Sequence, residues 1–532
     1  MKWDSVFWTK MVMVLLYFGG LFWIGVMASR KIQDMKDFFV AGKKLNFWLV
    51  SFSSRATGES AWLLLGLTGM GFAVGMHALW VVLGEVIGVT LCWVFLTQRF
   101  KVLTDRYNSI TVTDYLSDRV RDAGHVIRIL ATIILVIFVT SYVSAQFAAC
   151  GKAFKGFLGV PHHYGVILGM LIVGFYTVAG GFYAVAWSDL VQGLLMLLGL
   201  VLIPVVGLSY AGGWGTMVNT VHTMDPSLLS IWGKSGFGWA GVLSALALAA
   251  VGLGYLGSPQ LFVRFIAVKS RKELTNGTLV AVLFTILCDL GAVFAGMAGR
   301  ALIAPNGALF SQKAMLLKDA EQILPSMTNA LFPTLIAGLF IAIVLAAIMS
   351  TADSLLVLVS SAVVRDTWQK VFRPKAKQEQ LTKLSRYVTF ALCLIALFPA
   401  FSEKSVIFWF VLFAWTGITT AFCPVLILSL YWKGLTRAGV IAGMVTGMTL
   451  TILWKILPLN LLSSFSSWAV GQKIVATSKL SEATLHSVVD HMLIAFTGAF
   501  LMTVIVSLMT KPPAQASDDL DFAKAEAIDL WR

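Results

Sequence analysis

About a dozen apolar stretches, each long enough to cross a bilayer, recur along the chain, and one of them carries both Arg55 and Glu59. A segment of about 20 apolar residues reads as a transmembrane helix, and charge inside one is costly enough to mark function. The local string is Ser53-Ser54-Arg55-Ala56-Thr57-Gly58-Glu59-Ser60-Ala61-Trp62, followed by Leu63-Leu64-Leu65-Gly66-Leu67. Small, polar and charged residues interrupt an apolar span. The pattern predicts a broken transmembrane helix whose freed backbone groups can hold an ion or a solute.

Of the 532 residues, 58% are hydrophobic and 12% charged, against about 25% charged in soluble domains. The chain is therefore integral to a membrane. Its net charge of +14 does not imply a nucleic-acid partner, because the basic residues cluster between apolar spans. That distribution orients a protein in a membrane. Cys92, Cys150, Cys288, Cys393 and Cys423 lie in or at the ends of apolar spans with no metal or redox spacing. The first stretch, Val6 to Ala28, is too long for a signal h-region and reads as a retained helix.

Thirteen candidate helices centre near residues 17, 60, 89, 140, 172, 199, 247, 287, 347, 392, 418, 447 and 500. Lys/Arg-rich segments follow the first, third, seventh, ninth and eleventh, with Arg264, Lys269, Arg271 and Lys272 after the seventh. All of them fall on one side, which the positive-inside rule makes cytoplasmic. The N-terminus is then outside, and so are the long loops at 211–235, 304–330 and 458–488. Residues 1–510 form one transporter-sized unit, and 511–532 a cytoplasmic tail that is either an amphipathic surface helix or solvated chain.

Two spans are built alike. The helix near 60 is interrupted at 56–60, and the helix near 255 by Gly252-Leu253-Gly254-Tyr255-Leu256-Gly257-Ser258-Pro259. They are the second and seventh spans, as in an inverted-repeat carrier. The span near 347 places Ala347, Ser350, Thr351 and Ser354 on one helical face. Hydroxyls there and carbonyls freed near 57 suit a hard cation such as Na⁺. Asp353 and Asp189 offer a second cation or coupling position, Asp189 otherwise serving as a helix N-terminal carboxylate. Glu85 and Asp289 also sit inside spans, without an evident partner. Arg55 and Glu59, four apart, either pair with each other or leave Arg55 to receive a substrate carboxylate. Trp62, Tyr142 and Tyr255 are aromatic candidates for a solute wall. The chain carries no nucleophile elbow, Walker motif or zinc signature, so no enzyme is expected.

These residues resemble the sodium/solute symporter family, in particular its bacterial sodium/proline members. The resemblance runs through Ser60 to Leu67, Gly180 to Asp189, Gly252 to Gly257, Leu345 to Thr351 and Ala414-Trp415-Thr416-Gly417, over nearly the whole chain. It implies thirteen helices and a leucine-transporter-like five-plus-five inverted repeat, roughly 43–210 and 236–431, with one extra helix before it and two after. It places sodium on Ala56, Glu59 through its carbonyl, Ala347, Ser350 and Thr351. It places the family's acidic residue at Asp189 and the solute beside Tyr142, Tyr255 and Trp62. Three departures affect the solute position: Gly58 stands where proline carriers hold an aspartate, Val251 where they hold a tryptophan, and Arg55 is extra.

The sequence thus predicts a sodium-coupled plasma-membrane importer of a small organic solute, an amino acid such as proline, surrounded by lipid, with no nucleic-acid partner and no obligate protein partner. Alternatives are coupling to protons through Glu59 and Asp353, a carboxylate or other solute, a channel, and a membrane sensor. No signalling domain is expected beyond the tail. A reporter fused at Lys377 should read cytoplasmic and one at Ser466 external; the reverse would invert the topology.

Overall fold

The computed structural model describes residues 4–30, 35–401, 406–456 and 491–528. The loop expected at 458–488, with the reporter position Ser466, lies outside the described residues. Everything regular among the described residues is helical, apart from one parallel bridge between Leu45 and Val268. That bridge joins the entry of the first broken helix to the exit of the second, with Leu45 N–H donating to the Ala267 carbonyl at 3.0 Å.

Eleven helices among the described residues are long and apolar enough to cross a membrane. The expected thirteen is not confirmed by that count, and the difference arises at two breaks. The first broken helix enters as the 12-residue piece Phe47–Gly58 and resumes through Val74, where Gly75 (φ 61°) ends it; residues 62–106 are counted as one 45-residue stretch although that turn separates this piece from the helix starting at Leu79. Helix His162–Tyr210 turns at Gly181, where φ is 54°, leaving His162–Phe175 as a shorter apolar piece beside Gly181–Tyr210.

Capping explains where the first broken helix begins and stops. The Asn46 side chain accepts from Leu49 N–H at 3.0 Å, and the helix ends where Glu59 turns extended. The second broken helix runs Trp239–Ala249, tightens through Ala250–Leu256 and restarts with Pro259 in its first turn. A Cβ at Gly252 would lie 1.8 Å from the Gly84 carbonyl oxygen, so this tightened segment packs backbone to backbone on helix Leu79–Leu91. Small residues permit such close approach where helices associate without water to expel.

The spans sort by depth. The most apolar windows of Thr334–Phe372 and Ile407–Tyr431 are 83% and 89% buried, while that of Ser5–Ala28 is 22% buried. Peripheral helices turn large apolar side chains outward, among them Leu16, Trp23, Phe175 and Phe398. Lipid is the solvent that accepts such a surface.

Two expectations change. Arg264, counted from the sequence among loop charges, lies inside the span Trp239–Ile266 and is fully buried. The helix restarted at Pro259 carries it inward past the apparent end of the apolar run. The tail helix Ala516–Ile528 docks on the protein itself: Asp519 pairs with Arg106 at 2.9 Å and accepts from Tyr107 at 2.6 Å. Asp521 meets Lys433, and Glu526 meets Arg271, each at 2.8 Å.

Candidate functional site

Three groups of buried polar side chains meet around the first break. The first consists of neutral oxygens. The Ser350 hydroxyl donates to the Ala56 carbonyl at 2.8 Å, and the Thr351 hydroxyl to the Thr57 carbonyl at 3.1 Å. Both hydroxyls also reach the Ala347 carbonyl, at 3.1 and 3.4 Å. The spacing read from the sequence therefore brings Ala347, Ser350 and Thr351 against Ala56. Thr57 supplies one of the carbonyls expected near 57, although it was not in the ligand set that the resemblance implied. The Glu59 carbonyl makes no hydrogen bond to this group among the described residues. Uncharged oxygens converging in a dry site suit a hard cation of low charge.

The second group centres on Arg264. Its guanidinium donates to the Asp189 carboxylate at 2.9 Å, to Ser53 at 2.8 Å, and to Thr57 and Ser354 at 2.5 Å each. Ser53 also donates to Asp189 at 2.6 Å. Arg264 and Asp189 are both fully buried. The sequence reading placed a second cation at Asp189, Asp353 and Ser354; the structure places a fixed guanidinium against two of them. Asp353 is buried beside Ser354, whose hydroxyl lies 3.1 Å from its carboxylate. Sequence reasoning missed Arg264 as a site residue because it read the arginine as an orienting charge.

The third group surrounds Arg55. Its guanidinium pairs with Glu59, as the i,i+4 spacing allowed, lies 3.5 Å from Glu85 and stacks over Tyr255 with 4.6 Å to the ring centroid. Tyr255 donates to Glu85 at 2.8 Å. Arg55 is thus engaged internally and is not held open for a solute carboxylate. Carboxylate oxygens of Glu59, Glu85 and Asp289 all lie within 4.8 Å of one another.

A nearly closed cleft of about 10 Å³ lies beside these groups, lined by Trp62, Glu85, Tyr142, Val251, Tyr255 and Trp415 with Phe408 and two aliphatic neighbours. Four of the expected solute residues are on its wall; Gly58 and Arg55 stand behind it. A Cβ at Gly58 would lie 3.0 Å from Tyr255, so that ring fills the space of a larger residue 58. The Trp415 indole donates to the Val251 carbonyl at 3.0 Å and packs on Tyr255 at 5.2 Å, supplying an aromatic wall beside Val251. Gln146 bridges the break itself, donating to Ser60 at 3.2 Å and accepting from Ala61 N–H at 3.3 Å. It went unread in the sequence, although a glutamine inside an apolar span was the available signal.

Known proteins match this architecture. Residues 38–447 match the family model described as Sodium:solute symporter family. The High-affinity proline transporter PutP of Bacillus subtilis is 33% identical over 93% of this chain and 97% of its own length. The Osmoregulated proline transporter OpuE of the same organism is 31% identical over 94% and 95%. A substrate-bound, outward-open Na⁺-coupled sialic acid symporter superposes with a TM-score of 0.73 at 18% identity, over 95% of this chain and 98% of that one. At that identity the likeness is one of fold.

The chain belongs to the sodium:solute symporter family. It is a multi-pass membrane carrier of leucine-transporter-like fold, coupled to sodium and moving a small solute, and it is not an enzyme.

Removing one partner of a buried ion pair costs about 3–5 kcal/mol because the other charge is left uncompensated. Arg264→Ala should therefore lower the thermal unfolding midpoint in detergent, and Asp189→Asn added to it should recover part of the loss. An unchanged midpoint in the single variant would show that the pair adds no net stability.

Proposed function

We propose that this protein imports proline with sodium across the plasma membrane by alternating access. The observation that carries the reading is the neutral oxygen group between the first break and helix Thr334–Ser361, in a chain whose relatives above are proline transporters. Sodium takes the carbonyls of Ala56, Thr57 and Ala347 and the hydroxyls of Ser350 and Thr351, fastening the broken helix to its buried neighbour. Proline takes the adjoining cleft when it widens in the transport cycle, against Trp62, Tyr142, Tyr255 and Trp415, with Val251 and Glu85 completing the wall. The changes at Gly58 and Val251 are offset locally, since Tyr255 and Trp415 occupy the neighbouring space.

The halves 43–210 and 236–431 act as the inverted repeats, each contributing one broken helix to the centre. The N-terminus faces outward and the C-terminal tail the cytoplasm, as the basic inter-helix segments indicate. Lipid surrounds the bundle, and the cycle needs no second subunit. A ligand shifts a conformational equilibrium only by its differential affinity for the two states. By reciprocity, sodium tightens proline binding by the factor with which proline tightens sodium.

Uptake of labelled proline into proteoliposomes, with and without an inward sodium gradient, tests the proposal against a panel of unlabelled amino and carboxylic acids. Sodium-driven uptake blocked by unlabelled proline is expected; proline inert while another acid is driven would overturn the assigned solute. Thr351→Ala should raise the half-saturating sodium concentration about tenfold, the equivalent of about 1.4 kcal/mol, with transport retained at saturating sodium. Unaltered sodium dependence in that variant would move the ion elsewhere.

A further inference from the structure

The carboxylates of Glu59, Glu85 and Asp289 share one dry point in the bundle. They come from three elements: the first break, helix Leu79–Leu91 and helix Arg271–Leu302. Each is fully buried. Arg55 is the only basic side chain paired with any of them among the described residues. The ionised group therefore holds two negative charges in excess of its cation, in surroundings where an unpaired charge is costly.

Asp289 makes that imbalance specific. Neither of its carboxylate oxygens meets an amide, hydroxyl or basic donor among the described residues, its polar neighbour being the Glu85 carboxyl, while Glu85 also has Tyr255 and Arg55. A fully buried carboxylate whose polar neighbours are other carboxylates is the arrangement a bound cation completes. Ligand oxygens on opposite sides of a hard cation held at about 2.4 Å stand about 4.8 Å apart, and 4.8 Å bounds the separations among these three side chains.

We propose that Glu59, Glu85 and Asp289 form a second sodium site, distinct from the neutral group at Ser350 and Thr351. The inference rests on the sodium-coupled reading above and deepens it. Asp189 does not fill this role, because Arg264 already supplies its positive partner. A monovalent ion fits the cycle better than a divalent one, since more ligand charge gives tighter binding and this ion must leave on every turn. Glu85 is at once a ligand of this ion and a wall of the aromatic cleft. Loading the site also orders Tyr255, through its hydroxyl on Glu85. Ion and solute are thereby linked through one side chain.

The test is the coupling ratio of the reconstituted wild-type carrier. It is read from the membrane potential at which net labelled-proline flux reverses under fixed sodium and proline gradients. About two sodium ions per proline are expected, with a sodium Hill slope above one. Asp289→Asn, nearly isosteric, should lower the ratio to about one and flatten the slope while uptake persists at saturating sodium. Thr351→Ala should shift the sodium midpoint and leave Asp289 in use. A wild-type ratio of one, or an Asp289→Asn carrier with unchanged ratio and slope, overturns the second site and leaves the proposed function standing. A wild-type ratio of one accompanied by proline-driven alkalinisation outside the vesicles overturns it in favour of a protonated cluster. If the variant does not reconstitute, the wild-type ratio still decides. Absence of any sodium-driven amino-acid uptake in the wild type would instead sink the functional reading beneath it.

Discussion

A charge inside a dry helix bundle has to meet its counter-charge, and the centre of this protein is organised by two arginines that do so. Arg55 rises from the first broken helix into a nest of carboxylates and lies over Tyr255 of the second. Arg264 rises from the second broken helix and donates to Ser53 and Thr57 of the first. Each interrupted span thus extends a guanidinium to the other. An arginine suits this role because its planar fork engages several acceptors at once and it never deprotonates in proteins.

The neutral oxygens act within that frame. A hydroxyl–carbonyl hydrogen bond contributes only about 0.5–1.5 kcal/mol net, so the contacts of Ser350 and Thr351 with Ala56 and Thr57 can exchange for a cation. The charged contacts cannot open so cheaply. The ends of the broken helices are held by fixed charges, while their exposed carbonyls remain available to a ligand. This division lets a carrier keep its fold while its binding site changes partners.

Much of the architecture was legible in the sequence because membranes impose period and length. Apolar windows located the spans, and Gly, Pro and polar residues located the two breaks, since a bilayer tolerates such residues only where backbone is re-satisfied. Ala347, Ser350 and Thr351 were legible because helical spacing alone puts them on one face. Arg264 was misread because distance along the chain looks the same whether a helix ends or turns inward after a proline. Asp289 and Glu85 are 204 positions apart, and their meeting depends on the packing of helix Arg271–Leu302 on helix Leu79–Leu91, which one-dimensional periodicity does not encode. The tail was undecided for a similar reason: its acids acquire meaning only against Arg106, Arg271 and Lys433, drawn from three separate parts of the chain.

The Arg264 group also constrains how the carrier can open. Its four acceptor side chains belong to the first broken helix, helix His162–Tyr210 and helix Thr334–Ser361, so one guanidinium ties four elements at a single end of the bundle. Any conformation that parts them there must separate the Arg264–Asp189 pair or admit water to it. Separation without water costs several kcal/mol, whereas water entry lets both charges be solvated as they part. Hydration of this cluster is therefore a physical condition for opening that end. The sodium-type oxygens sit directly beside it, with Thr57 belonging to both groups through its hydroxyl and its carbonyl. An ion that fixes the Thr57 carbonyl holds the same residue whose hydroxyl anchors Arg264, and its departure loosens both at once.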